Sequence, residues 1–177
     1  MKNLLNRIPV LMLLLLSVVF VAACNDDDDD EPMLRSETFV YTLNEGQTAG
    51  AATTYDGEHP RNFSARMEIQ EMPNGTAKVI VNLENTISGE VYHMHAHDFA
   101  DPATTPNGTP FNETPNDNVL AQMITAQGTS ATVEQSSTMS YDDLLNSYEG
   151  FFVVHDPTQP ISTVDLTTYL ILEVVGK

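Results

Sequence analysis

The sequence predicts an all-β domain, a sandwich of seven or eight short antiparallel strands, on three observations. Short runs rich in Val, Ile, Thr, Phe and Tyr recur between residues 39 and 175, and several alternate apolar with polar positions. Clusters of Gly, Pro and Asn separate these runs as turn signals do. Helical periodicity is nowhere sustained over a long stretch.

Phe39–Leu43 reads as the first strand, and residues 44–62, with Gly46, Gly50, Gly57 and Pro60, as a loop-rich passage. Residues 63–70 alternate cleanly (Phe63, Ala65, Met67 and Ile69 against polar neighbours), as a half-buried antiparallel strand does. Pro73-Asn74-Gly75-Thr76 is a strong turn signal, so Ala77–Leu83 returns as the second arm of a hairpin. Ile87-Ser88-Gly89 leads into a strand at about Glu90–His97. The stretch from Asp98 to Asn118 carries Pro102, Pro106, Gly108, Pro110 and Pro115 and leaves little room for a ladder. Loops of this length in a small domain are often functional. Strands resume at Val119–Ala126 and Ala131–Thr138, Ser140 can cap a short helix through Tyr148 with Gly150 ending it, and Phe151–His155 and Thr168–Val175 close the sheet.

The amino end has a different character. Lys2 and Arg7 precede an apolar run from Ile8 to Val21, and Ala22-Ala23-Cys24 follows, so residues 1–23 read as an export signal too short for a comfortable membrane span. Cys24 is the single cysteine, and no disulfide can form within the chain. The six consecutive acids Asp26–Glu31 repel one another and stay solvated, so residues 24–37 read as a flexible tether and 38–177 as one domain. The net charge of −18 becomes −20 once Lys2 and Arg7 leave with the signal. Without a basic patch, nucleic acid is excluded as a partner.

The candidate site is the run His93-Met94-His95-Ala96-His97-Asp98, joined later by His155-Asp156. On a strand His93, His95 and His97 share one face while Tyr92, Met94 and Ala96 share the other. Histidines two apart stand roughly 6.5–7 Å from each other, within reach of one ion bound at about 2 Å, whereas four apart is roughly 13 Å. Two adjacent histidines plus a distant third therefore form one candidate metal site, with His97 the odd one out. Imidazole suits copper, zinc, iron and nickel, and the affinity order favours copper. His97, Asp98 and Asp156 are candidate outer partners, because ligating histidines usually donate their second N–H to an oxygen. His59, in Gly57-Glu58-His59-Pro60, reads as a solvated loop residue, and Met94 and Met123 as buried core that could otherwise assist Cu(I).

Two resemblances bear on these residues. Val21-Ala22-Ala23-Cys24 resembles the bacterial lipobox, which implies lipidation of Cys24 and a membrane anchor. The acids that follow are similar to the surface-export signal of Bacteroidetes lipoproteins, which implies the outer membrane, at the cell surface or on its periplasmic face. Within the domain, Ser88-Gly89 leading to Tyr92-His93-Met94-His95, then Thr109-Pro110-Phe111-Asn112, then Asp143-Leu144-Leu145 before Phe152-Val153-Val154-His155-Asp156-Pro157, resembles the Cu/Zn superoxide dismutase superfamily over residues 63–175. That resemblance implies a Greek-key sandwich or flattened barrel, copper ligands at His93, His95 and His155, and slow superoxide dismutation. The chordin-type (CHRD) domain is similar over the same residues and implies a non-catalytic surface binding module instead.

The departures are specific. Pro110 stands at the bridging-histidine position and no histidine lies between His97 and His155, so no zinc is expected. No Arg or Lys lies between His155 and Lys177 to guide an anion, and the family's disulfide is absent. No residue is assigned a catalytic role. A Gly-x-Ser-x-Gly elbow, the downstream glutamate of a cupin site and a glycine-rich phosphate cradle are also missing.

Overall fold

Alternation gives each strand one apolar face, and the chain buries those faces by stacking two sheets. The computed structural model describes residues 33–48 and 51–176, with the strands β1 (Ser36–Thr42), β2 (Glu45–Thr48), β3 (Ala51–Thr54), β4 (Ser64–Glu71), β5 (Thr76–Glu84), β6 (Val91–Asp98), β7 (Ala121–Thr125), β8 (Ser130–Ser140), β9 (Gly150–His155) and β10 (Tyr169–Val174). A short helix, α1 (Tyr141–Asn146), follows β8, and a 3₁₀ turn (Leu166–Thr168) precedes β10. One sheet has the order β1-β4-β5-β8, the other β10-β9-β6-β7, and β2 with β3 forms a separate two-stranded ribbon. Every pairing is antiparallel. The chain changes sheet between β5 and β6, returns between β7 and β8 and crosses again to β9, which places β8 beside β5 and β9 beside β6. The fold is an all-β sandwich whose sheets stay separate and do not close into a barrel.

Between the sheets Met67, Ile69, Val79, Val81 and Leu83 face Tyr92, Met94, Phe152, Val154 and Ile171 in one buried cluster. Each such side chain contributes about 1.5–3 kcal/mol when fully buried, so this layer dominates stability. A second, smaller cluster (Phe111, Phe151, Val153, Tyr169 and Leu172) lies on the other face of the β10-β9-β6-β7 sheet. That is why β9 is buried at all six positions, an apolar run rather than an alternation.

Several boundaries differ from expectation. β1 begins at Ser36, ahead of residue 38, because the Arg35 guanidinium bonds both Glu71, at 2.8 Å, and Asp142, at 2.8 Å, and brings the chain onto the sheet early. The loop-rich passage at 44–62 contains the β2–β3 ribbon, which the Gly-rich sequence conceals. Gly150 opens β9 instead of ending the helix, which stops at Asn146. The Ser140 cap is as expected, its hydroxyl accepting from the Asp143 N–H at 3.0 Å. Signal, Cys24 and acidic run lie outside the described residues.

Candidate metal site on the outer face of the second sheet

Because Tyr92, Met94 and Ala96 go into the main core, Val91, His93, His95 and His97 emerge on the opposite face of β6. The β6–β9 register pairs Met94 with Val154 and His95 with Val153, and one further step sets His93 across from His155. On the remaining strands Tyr169 pairs with His155 and Met123 with His93. A single row across the sheet therefore runs Tyr169, His155, His93, Met123, with His95 one step along β6.

His95 is the hub of the cluster. Its ring centre lies 5.2 Å from that of His155 (edge to face), 6.4 Å from His93 and 5.6 Å from His97, which stacks nearly parallel at 14°. His155 meets Tyr169 edge to face at 4.6 Å. His93 and His155 share the wall of a cleft of ≈ 310 Å³, together with Glu90, Asp156 and Gln159, and no Lys or Arg lines it.

Both ring nitrogens of His95, Nδ1 of His155 and the Tyr169 hydroxyl are buried without a hydrogen-bond partner. Leaving such a group unpaired costs about 1–3 kcal/mol. Burial, and then the neighbouring histidines, push His95 down to about 3 and His155 down to about 4. Burial also lowers His97. Near neutral pH these rings are uncharged, which is the state that ligates a cation.

The candidate outer partners are occupied elsewhere. His97 is buried, donates from Nδ1 to the Asn112 carbonyl at 2.8 Å and packs on Phe111 at 5.0 Å, so it anchors the loop after β6. That loop folds back through Asn112 N–H to Asp98 O at 2.8 Å and drops Phe111 into the smaller cluster. Asp98 accepts from Asn116 Nδ2 at 2.7 Å. Asp156 is buried and accepts from the Tyr55 hydroxyl, the Thr158 N–H and hydroxyl, and Gln159 Nε2. These bonds hold its carboxyl below the usual range in spite of burial.

His59 overturns its sequence reading. It is buried at 2 % exposure, not solvated. Its Nδ1 faces the Pro60 carbonyl at 3.2 Å, so Nδ1 carries the proton and Nε2 accepts from the Tyr92 hydroxyl at 2.7 Å. Tyr92 oxygen accepts in turn from the Ile87 N–H at 2.7 Å, and the Tyr55 hydroxyl accepts from the His59 N–H at 2.9 Å while donating to Asp156. A continuous polar network thus ties the 55–60 loop to residues adjacent to His93 and His155. Met123 is the second correction: it is 66 % exposed, whereas Met94 is fully buried as expected. Tyr169 was not singled out from sequence, because a Tyr in an apolar strand carries no signal that its neighbour across the ladder is a histidine.

An ion held at about 2 Å from a ring nitrogen sits roughly 3.2 Å from that ring's centre, so two rings on one ion have centres about 5–6.5 Å apart. The His95–His155 and His95–His93 separations fall in that range. Among the described residues, no three His, Cys, Asp or Glu side chains already stand around one point. The donor chemistry of neutral imidazoles fits a transition metal.

No family model matches the chain, and neither does any curated protein or solved structure. The fold and the histidine cluster define an all-β sandwich with an imidazole-lined outer face.

Proposed function

We propose that this chain is a lipid-anchored extracytoplasmic metal-binding protein that holds one copper ion through His93, His95 and His155. The observation that carries the reading is the set of buried, unpartnered ring nitrogens on His95 and His155 beside the cleft that His93 lines. Copper is favoured among divalent ions on an all-imidazole donor set. In this reading the chain is a divergent relative of the Cu/Zn superoxide dismutase superfamily that keeps the copper half of the site and lacks the zinc half. The anchor is a lipid on Cys24 in the bacterial outer membrane, at the cell surface or on its periplasmic face.

Bound copper would supply one-electron chemistry, in which two superoxide ions and two protons give O₂ and H₂O₂. The chain's own contribution is to keep two imidazoles neutral, to shield them from water and to leave one side open through the cleft. Glu90 and Asp156 in the lining draw a cation in and oppose an anion, so any superoxide turnover is slow and metal holding is the main role.

The test is a copper titration of metal-free protein followed by visible spectroscopy and superoxide decay. One equivalent bound with a d–d band, lost in His95→Ala, supports the reading. His95→Ala that retained the full equivalent would reject the site. The rival reading is a non-catalytic CHRD-like surface module, favoured by the long loop after β6 being tied down by its own bonds over the histidine face. Protein isolated without added metal, free of transition metals and shifted by less than about a degree by copper, would establish that module instead.

A further inference from the structure

We infer that Met123 is a fourth, thioether ligand of this site, which makes the site a holder of Cu(I) in preference to Zn(II). The inference rests on the proposed three-histidine site and adds a residue to it. Met123 pairs directly with His93 in the β6–β7 ladder. Directly opposed antiparallel residues point the same way with Cβ atoms about 4.5–5.5 Å apart, so Met123 lies on the histidine face beside His93, one of the two rings that border the cleft.

Its environment sets it apart from the other methionines of the sandwich. Met67 and Met94 are fully buried in the main core, where packing accounts for them. Met123 is 66 % exposed, and no core contact explains a long apolar side chain at that position. Ala121, the residue opposite His95, is small, so no bulky β7 side chain stands across from the His95 ring. Val91 and Ile161, both exposed, border the same cleft and give the approach an apolar rim.

Sulfur donors are soft and select Cu(I), whereas three imidazoles alone also suit Cu(II) and, less tightly, Zn(II). Adding one neutral thioether to neutral imidazoles gives a site with no ligand charge to compensate a divalent ion. The nearby Glu90 and Asp156 raise the local cation concentration without being ligands themselves. The chemical class of ligand is therefore a soft cation, with Cu(I) held ahead of Zn(II).

Cu(I) affinity is measured under anaerobic conditions against a chromophoric Cu(I) chelator, for the full-length protein and for Met123→Leu, a change at an exposed position that leaves the core intact. Zn(II) affinity is measured in parallel, and the methionine methyl carbons are followed by NMR during Cu(I) addition. Met123→Leu is expected to weaken Cu(I) by more than the roughly 10–100-fold that loss of an outer-sphere partner causes, with Zn(II) unchanged and one methyl resonance shifted only in the parent protein. Equal Cu(I) affinity in parent and Met123→Leu, with His95→Ala still defective, would overturn the thioether and leave the three-histidine site standing. Absence of Cu(I) binding in a parent protein that still takes one equivalent of Cu(II) with its d–d band would overturn the Cu(I) preference and leave the three-histidine site standing, and absence of both ions would overturn both.

Discussion

His95 and His155 meet edge to face with ring centres 5.2 Å apart, one from the middle of β6 and the other from the last position of β9. The contact forms on the face turned away from the main core, so it costs the sandwich none of its packing. It does cost unpaired nitrogens, and a fold that tolerates them invites a cation or an explanation of equal strength.

The first prediction follows from those nitrogens. In metal-free protein, His95→Leu removes two buried polar atoms that make no bond and keeps an apolar body between His155 and His97. Unfolding in urea should show the variant more stable by about 1–2 kcal/mol, because the unmet desolvation of a buried group is of that size. The same variant should lose copper binding, a trade of function against stability. A variant less stable than the parent would mean the ring is already satisfied.

The second prediction concerns pH. An unfolded histidine titrates near 6.5, whereas His95 and His155 are pushed down to about 3 and about 4, and burial lowers His59 and His97 as well. Above roughly pH 6.5 neither state holds these protons and stability is independent of them. As pH falls below that value the unfolded chain takes up protons that the folded chain refuses, so stability drops continuously until the folded rings themselves titrate, His155 at about 4 and His95 at about 3. Urea midpoints of chelator-treated protein, measured from pH 7.5 to 4.5, should decline, and His95→Leu should flatten the decline. Added copper should steepen it, since protons then also compete with the metal.

The sandwich was legible because period-two alternation survives in the strands that bury one face, as in Met67 and Ile69 of β4 or Val79, Val81 and Leu83 of β5. It was legible for β6 too, where the same alternation sorted Tyr92 and Met94 from the three histidines. The β2–β3 ribbon was not, since Glu45–Thr48 and Ala51–Thr54 lack the bulky residues that mark a buried strand. Within the site, the approach of His155 to His95 depends on which strands are neighbours, information that local sequence does not hold. His59 was misread for the same reason: a histidine between Glu58 and Pro60 looks wet until the fold brings Tyr92 to its Nε2. Met123 was misread because an apolar residue in an edge strand has no signature of which face it occupies. The flanking β7 leaves it in solvent.

A third prediction tests the polar network beneath the site. Tyr92→Phe keeps the ring stacked on Phe63, whose plane lies within 1° of its own, but strips partners from the His59 Nε2 and the Ile87 N–H together. Two buried groups left unpaired should cost about 2–4 kcal/mol in urea unfolding. Copper affinity should fall less than in His93→Ala, because Tyr92 faces the core and acts on the site only by fixing the end of β6. A loss below about 0.5 kcal/mol would show that water replaces the hydroxyl.

The last prediction concerns the junction where β6 passes β9. Gly150 pairs with Asp98, and a Cβ placed on it would lie 2.6 Å from the His97 carbonyl oxygen and 2.5 Å from the Tyr148 hydroxyl. The tyrosine can move, but the carbonyl belongs to the backbone of the central strand and cannot yield without shifting the ladder. Gly150→Ala should therefore cost about 2–3 kcal/mol, the upper part of the range for forced overpacking. The damage should be local first. The amides of Phe99, bonded to Glu149 O at 3.1 Å, and of Val175, bonded to Gly150 O at 2.9 Å, should lose hydrogen-exchange protection before those of β4 and β5. Uniform loss across both sheets would instead mean that β6 and β9 open only with the whole sandwich, and the register at Gly150 would not be the weak point of the histidine face.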